Sequence, residues 1–250
     1  MAAAVSAVEK APGVKEFTAR FARGLAVGML PGALAGLIAG GVGSRLAMRV
    51  MAATSSAAVQ GTETEFGATV GEVSFGSTLF LLIAGAVLGA AGGLIFMAIR
   101  RLLPWTGWAG GLAFGLLLLG VFGRLIIDPH NFDFEVLDPA ALAVVMFAAI
   151  FILYGLLLVP TLERLEPSIR RAPPWLWLPL LGVTVLPFAL TGVGGVGLVV
   201  AFGIGFAVAA GGGWKRISGS PAVMVAGRGA LLLVFMLGGW GVIRATLEIV

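Results

Sequence analysis

Seven times the chain runs for about twenty residues with hardly a charge, at roughly 25–47, 78–99, 106–127, 139–160, 175–192, 194–213 and 222–243. As a helix rising 1.5 Å per residue, a run of that length crosses the ~30 Å hydrocarbon layer. In lipid, backbone amides and carbonyls must be paired within the segment or within a closed barrel. The runs lack the alternation of apolar and polar residues that barrel strands show. The expected fold is therefore all-α, a polytopic membrane protein with seven transmembrane helices. Composition points the same way: 59% of residues are hydrophobic and 11% charged, against about 25% charged in soluble domains.

The first run carries Gly32-x3-Gly36-x4-Gly41-Val42-x2-Arg45-Leu46, and the third repeats it as Gly111-x3-Gly115-x4-Gly120-Val121-x2-Arg124-Leu125. An acidic loop follows each copy, then a second apolar run closing on Arg101-Leu102-x-Pro104 or Arg164-Leu165-x-Pro167. Glu72-Val73 and Glu135-Val136 stand at matching distances from those endings, as do Gly92 and Gly155. The pattern predicts a tandem, parallel repeat of helical hairpins over 25–165, with copies at 25–104 and 106–167. Before it lies a cytoplasmic segment, 1–24, in which Phe17 and Phe21 share one side of an interfacial helix. After it, Glu163 to Pro174 reads as a linker loop, leading to a three-span part at 175–250.

Basic residues recur after the second, fourth and sixth runs, while the loops after the first and third hold Glu63, Glu65, Glu72, Asp128, Asp133, Glu135 and Asp138. The positive-inside rule then puts the N-terminus in the cytoplasm and, after seven crossings, the C-terminus outside. Trp105, Trp108, Trp175, Trp177 and Trp214 fall at the predicted inner boundary, where aromatic belts sit. The net charge of +4 is spread over these flanks. That suits a lipid bilayer as partner, and no cluster is dense enough for nucleic acid. With no cysteine in the chain, neither disulfides nor thiolate metal sites are available. Four-residue spacing of Gly32/Gly36, Gly85/Gly89/Gly93 and Gly107/Gly111/Gly115 predicts smooth faces for close approach. The approach would be within the chain, or to a second copy or other membrane helices.

Arg45, Arg49 and Arg124 are out of place: they stand at the acidic end of this topology, and charge at membrane depth marks paired or functional positions. Glu72 and Glu135 are the simplest partners. Either Arg45 and Arg124 pair with Glu72 and Glu135 in two ion pairs that lock the hairpins, or the guanidinium groups, Arg49 included, converge on an outward pocket for a small anion, or they snorkel to lipid phosphates. His130, the one histidine, lies near Asp128 and Asp133, a weak metal candidate whose spacing matches no defined loop. No catalytic residue stands out, because there is no G-x-S-x-G elbow for Ser74 or Ser77 to serve. Gly192-Val193-Gly194-Gly195-Val196-Gly197 fits G-x-G-x-x-G, but it has neither a preceding strand nor an acid about twenty residues on, and reads as a turn. No cofactor is expected.

The runs Arg45-Leu46-Ala47-Met48-Arg49, Gly71-Glu72-Val73-Ser74-Phe75-Gly76-Ser77-Thr78-Leu79-Phe80-Leu81 and Asn131-Phe132-Asp133-Phe134 resemble motifs of uncharacterised multi-pass bacterial membrane proteins. The resemblance covers roughly the first 165 residues. It implies a bacterial plasma membrane and brings no active site. The expected role is a non-enzymatic membrane scaffold or accessory subunit. The alternatives are a permease or binding protein for a small anionic solute, and a metal-dependent membrane enzyme at His130.

Overall fold

A computed structural model describes residues 14–54, 74–127, 139–176 and 220–249. They form α1 (Val14–Gly36), a π-helical stretch (Leu37–Val42), α2 (Gly43–Thr54), α3 (Phe75–Ile99), α4 (Gly107–Ile126), α5 (Ala140–Arg171), a short 3-10 turn (Pro174–Leu176) and α6 (Pro221–Ile249). Among the described residues there is no strand. Four helical stretches are long and apolar enough to cross a membrane, Ala19–Thr54, Phe75–Ile99, Ala140–Arg171 and Pro221–Ile249, and Gly107–Gly123 is a shorter apolar helix. These correspond to the first four expected runs and the seventh. The other two fall, but for Trp175 and Leu176, outside the described residues.

The helix holding Phe17 and Phe21 continues unbroken into the first span, so Val14–Thr54 is one rod. Ser74 caps α3, its Oγ accepting from the Ser77 amide at 3.1 Å. The expected linker at Glu163–Pro174 is overturned, because α5 stays helical through Pro160 and Pro167 to Arg171. Two features outweigh the prolines. Leu158, Leu162, Leu165 and Ile169 continue one apolar stripe, with Ile169 and Leu165 packed on Ala26 and Val27 of α1. Arg170 and Arg171 also place positive charge in the last turn, where the helix dipole favours it. At the start of α5, Pro139 is the N-cap.

Glycines set the distances between helices. A Cβ built on Gly32 would stand 2.9 Å from the Cα of Gly93 and closer still to the Gly89 carbonyl oxygen. One on Gly89 would meet the carbonyl oxygen of Gly32, and the Cα of Gly36 at 2.6 Å. The α4–α5 pair repeats this arrangement: Gly155 sits between Gly111 and Gly115, with the Gly115 amide nitrogen 2.7 Å from its would-be Cβ. In lipid, association has little hydrophobic drive, so such backbone-to-backbone contact supplies dispersion that larger side chains would prevent. Gly107 differs: nothing lies within 4 Å of a Cβ there, and its φ of +60° explains the glycine at the head of α4.

The spacing of four and then five residues in Gly32-Gly36-Gly41 cannot keep one face in a regular helix, since the fifth residue turns the face by about 140°. The π-helical stretch absorbs the extra residue. Gly41 therefore remains on α3, where a Cβ would be 3.0 Å from the Leu82 Cα. In α4 the same spacing has no π stretch. Gly111 and Gly115 face α5, but Gly120 has swung to α6, and a Cβ on Gly238 would be 3.0 Å from the Gly120 Cα.

The bundle centre is an aromatic and aliphatic cluster. Phe96 of α3 meets Phe114 of α4 edge to face at 5.1 Å, and Phe114 lies 6.4 Å from Tyr154 of α5. Leu117, Leu118, Leu158 and Leu162 complete it with Ala35 and Ala39.

Candidate functional site

Helix direction divides the charged residues between two ends. Met51 at the close of α2, Ile127 after α4, Ala143 and Val144 near the start of α5, and Ala245 near the end of α6 form one buried cluster. The segments of Arg45, Arg49 and Arg124 therefore lie at the same end of the bundle. This juxtaposition follows from short apolar helices running up, down and up again.

Arg45 projects from α2 toward the first turn of α3, since the π stretch keeps it on the α3-facing side. Its Nη2 donates to Ser77 Oγ at 2.5 Å, while its Nε is buried with no hydrogen-bond partner. Ser77 Oγ also lies 2.7 Å from Ser74 Oγ, and Thr78 Oγ1 donates to the Ser74 carbonyl at 2.8 Å. A guanidinium thus sits against the positive end of a helix and a knot of hydroxyls, with no carboxylate beside it among the described residues. The dipole disfavours a cation there by about 0.3–1 kcal/mol. Arg49, one turn further on, is exposed.

Of the residues singled out in the sequence, Arg45 and Arg49 are brought together on α2, and Arg124 belongs to α4, its side chain outside the described part. Glu72, Glu135, His130, Asp128 and Asp133 lie outside the described residues. Among those described, no group of three His, Cys, Asp or Glu is placed to hold a metal ion. Sequence reasoning missed Ser77 as the group holding Arg45. Ser74-x2-Ser77, beginning two residues after Glu72, signals the cap of α3 but not the distant partner of Ser77.

The opposite end is built from α1, α3, α5 and the start of α6. Glu166 takes Arg170 Nε at 2.8 Å and Arg100 Nη1 at 3.4 Å, joining α5 to the end of α3. Arg228 donates from Nε to the Leu102 carbonyl at 3.3 Å, satisfying an acceptor left free where α3 ends. The turn meets Arg228 because Gly227 lets α6 come down on Leu102. Trp105, Trp108 and Trp175 are exposed at this end.

Between the ends runs a buried polar contact. Tyr154 Oη donates to the Gly89 carbonyl at 2.7 Å, and Gly92 leaves the space its ring fills. Comparison of the chain with protein-family models, with curated proteins and with solved structures finds no match.

Proposed function

We propose that the chain is a non-enzymatic membrane scaffold or accessory subunit of a bacterial plasma membrane, seven-spanning, with its N-terminus cytoplasmic and its C-terminus outside. The observation that carries this reading is the glycine packing. Along α1–α3 and α4–α5 the helices approach so closely that a single methyl group would overlap backbone atoms of the neighbour. A solute path between those helices has no room, and a rigid, close-packed bundle is what a structural partner of other membrane helices needs. The duplicated-hairpin reading is supported by the matched seats of Gly89 and Gly155. It pairs Gly155 with Gly89, three residues from the Gly92 suggested by the sequence. With the glycine faces of α1, α3, α4 and α5 engaged inside the bundle, partner contacts fall to α6. There Gly229 and Gly239 have nothing within 4 Å among the described residues.

A permease or binding protein for a small anion is the second reading, favoured by Arg45 being held by a serine hydroxyl and by its buried Nε lacking a partner. Two measurements separate the readings. Proteoliposomes carrying the full chain should show no flux of phosphate or succinate above empty vesicles. In native gels of the host membrane, the protein should migrate in an assembly larger than itself that Gly239→Leu disrupts. Anion flux abolished by Arg45→Gln would replace the scaffold with the permease.

A further inference from the structure

We propose that the end of the bundle opposite Arg45 is a seat for anionic phospholipid headgroups, formed where α1, α3 and α5 come together. This goes beyond the scaffold reading and holds equally for a permease, since it rests only on the chain lying in a membrane.

Helix register sets the geometry. Gly28 lies against Gly93, and Val27 packs with Ile169 in one buried cluster. Counting outward at 1.5 Å per residue, Arg23, Arg100 and Arg171 come within roughly 5 Å of one another in height. Arg20, Arg101 and Arg170 are their neighbours at the same mouth. Among the described residues these six arginines, with Arg164 beside Glu163, face two carboxylates, Glu163 and Glu166. Arg20 and Arg101 already hold contacts of their own, so the case rests on Arg23, Arg100, Arg170 and Arg171.

Arg100 and Arg170 share the single carboxylate of Glu166, so two positive charges meet one negative. Arg23 is half-buried and its Nε is enclosed with no hydrogen-bond partner. Arg171 is exposed. The mouth thus has a surplus of positive charge and an enclosed donor that its own carboxylates leave unsatisfied. A phosphate monoanion supplies both the charge and the acceptor oxygens, and planar guanidinium groups suit it.

The depth of the site identifies the source of that phosphate. Trp105, Trp108 and Trp175 lie exposed at this end, with relative exposures of 57%, 73% and 67%. Exposed indoles gather at the headgroup layer, where the ring is half in lipid and half in water. A site at their end of the bundle faces bilayer lipid first, so the occupant is a phospholipid headgroup with net negative charge.

The test uses the full chain in mixed micelles of phosphatidylglycerol and phosphatidylcholine with identical acyl chains, with retained lipid read by native mass spectrometry. The wild-type protein should retain phosphatidylglycerol preferentially. Arg23→Gln with Arg171→Gln should cut that preference by ~25-fold, at about fivefold for each arginine removed near a charged lipid surface. Arg244→Gln, at the other end, should leave it unchanged. Equal retention of the two lipids by the wild type, an unaltered preference in the double variant, or displacement of the lipid by millimolar inorganic phosphate overturns the proposal. Should the double variant fail to fold, the wild-type preference must still fall as salt rises, because exposed charges are screened. A preference indifferent to salt overturns the proposal as well. Flux and native-gel assembly measurements do not bear on this result, so its failure is separable from failure of the scaffold reading.

Discussion

Tyr154 Oη donates to the carbonyl oxygen of Gly89 across 65 residues of sequence, joining the second hairpin to the middle of the first. It is the single tyrosine of the chain and is buried, its ring lying over Gly92 and beside Phe114. Tyr154→Phe removes this bond while keeping the packing. The Gly89 carbonyl retains its place in the α3 ladder, so the loss should be modest, about 0.6–1.7 kcal/mol, as for interhelical hydrogen bonds in lipid. Unfolding of the purified protein in a mild detergent, followed by far-ultraviolet dichroism, measures it. An unchanged midpoint would mean the bond contributes nothing.

Gly89 is a stricter position. A methyl group there meets the backbone of Gly32 and Gly36, and backbone cannot rotate aside as a side chain can. Gly89→Ala should destabilise by at least the ~1–3 kcal/mol typical of overpacking. Gly239→Ala, where nothing among the described residues lies within 4 Å, should change stability by less than about 0.5 kcal/mol. Equal midpoints for the two variants would show that the α1–α3 contact is looser than described.

Arg45 and Ser77 are expected to be coupled. In a double-mutant cycle built from Arg45→Gln and Ser77→Ala, the interaction energy should reach roughly 1.5–3 kcal/mol, the range for hydrogen bonds to a charged group. Either single change alone should cost less than that, because the cation stands at the unfavourable end of the α3 dipole. An interaction energy within error of zero would mean that Arg45 is not held by Ser77 in the membrane.

The π-helical stretch invites a deletion experiment. Removing Ile38, which is exposed, leaves Gly36 and Gly41 four residues apart and lets a regular helix present the same face to α3. Stability should stay within about 1 kcal/mol of the wild type. Removing Leu116 from α4 should be severe, because Gly120 would turn from α6 toward α5 and its seat on Gly238 would be lost. Thermal melts of the two deletion proteins decide the matter. Comparable melting temperatures would contradict the register described here.

Glu166 links α3 and α5 through Arg100 and Arg170. Arg170 is more than half exposed, so the pair on α5 contributes only ~0.3–0.5 kcal/mol. The Arg100 contact, at 3.4 Å, is the one that ties α5 to the end of α3. Glu166→Gln should lower stability by about 1 kcal/mol in low salt and by less in high salt. A loss that does not depend on salt would show that Glu166 acts by packing alone.

Much of the architecture could be read before any coordinates. Lipid leaves backbone groups no solvent to bond, so apolar runs of about twenty residues had to be helices, and this held for the five runs described. Gly32, Gly36, Gly85, Gly89, Gly111 and Gly115 signalled close approach because nothing but a small residue permits it. The placement of Arg45 and Arg124 at one end followed from counting crossings. The α5 extension was hidden, since Pro160 and Pro167 look like breakers until the stripe from Leu158 to Ile169 finds α1 to lie on. Tyr154 and Ser77 were hidden too: each bonds to a residue far off in sequence, and neither spacing nor composition carries that information.

The chain wrote the same glycine and arginine spacing twice, and that much the sequence alone determined. Which neighbour each copy would face was left to the tertiary structure. In the first copy the helix unwinds locally to the wider π form, so Gly41 and Arg45 stay on α3. In the second the helix remains regular, and Gly120 turns to α6. The reason is rotational: five residues overshoot a helical turn and a half-step of twist must go somewhere, either into the backbone ladder or onto a different partner, and only the helices already packed around each copy decide which.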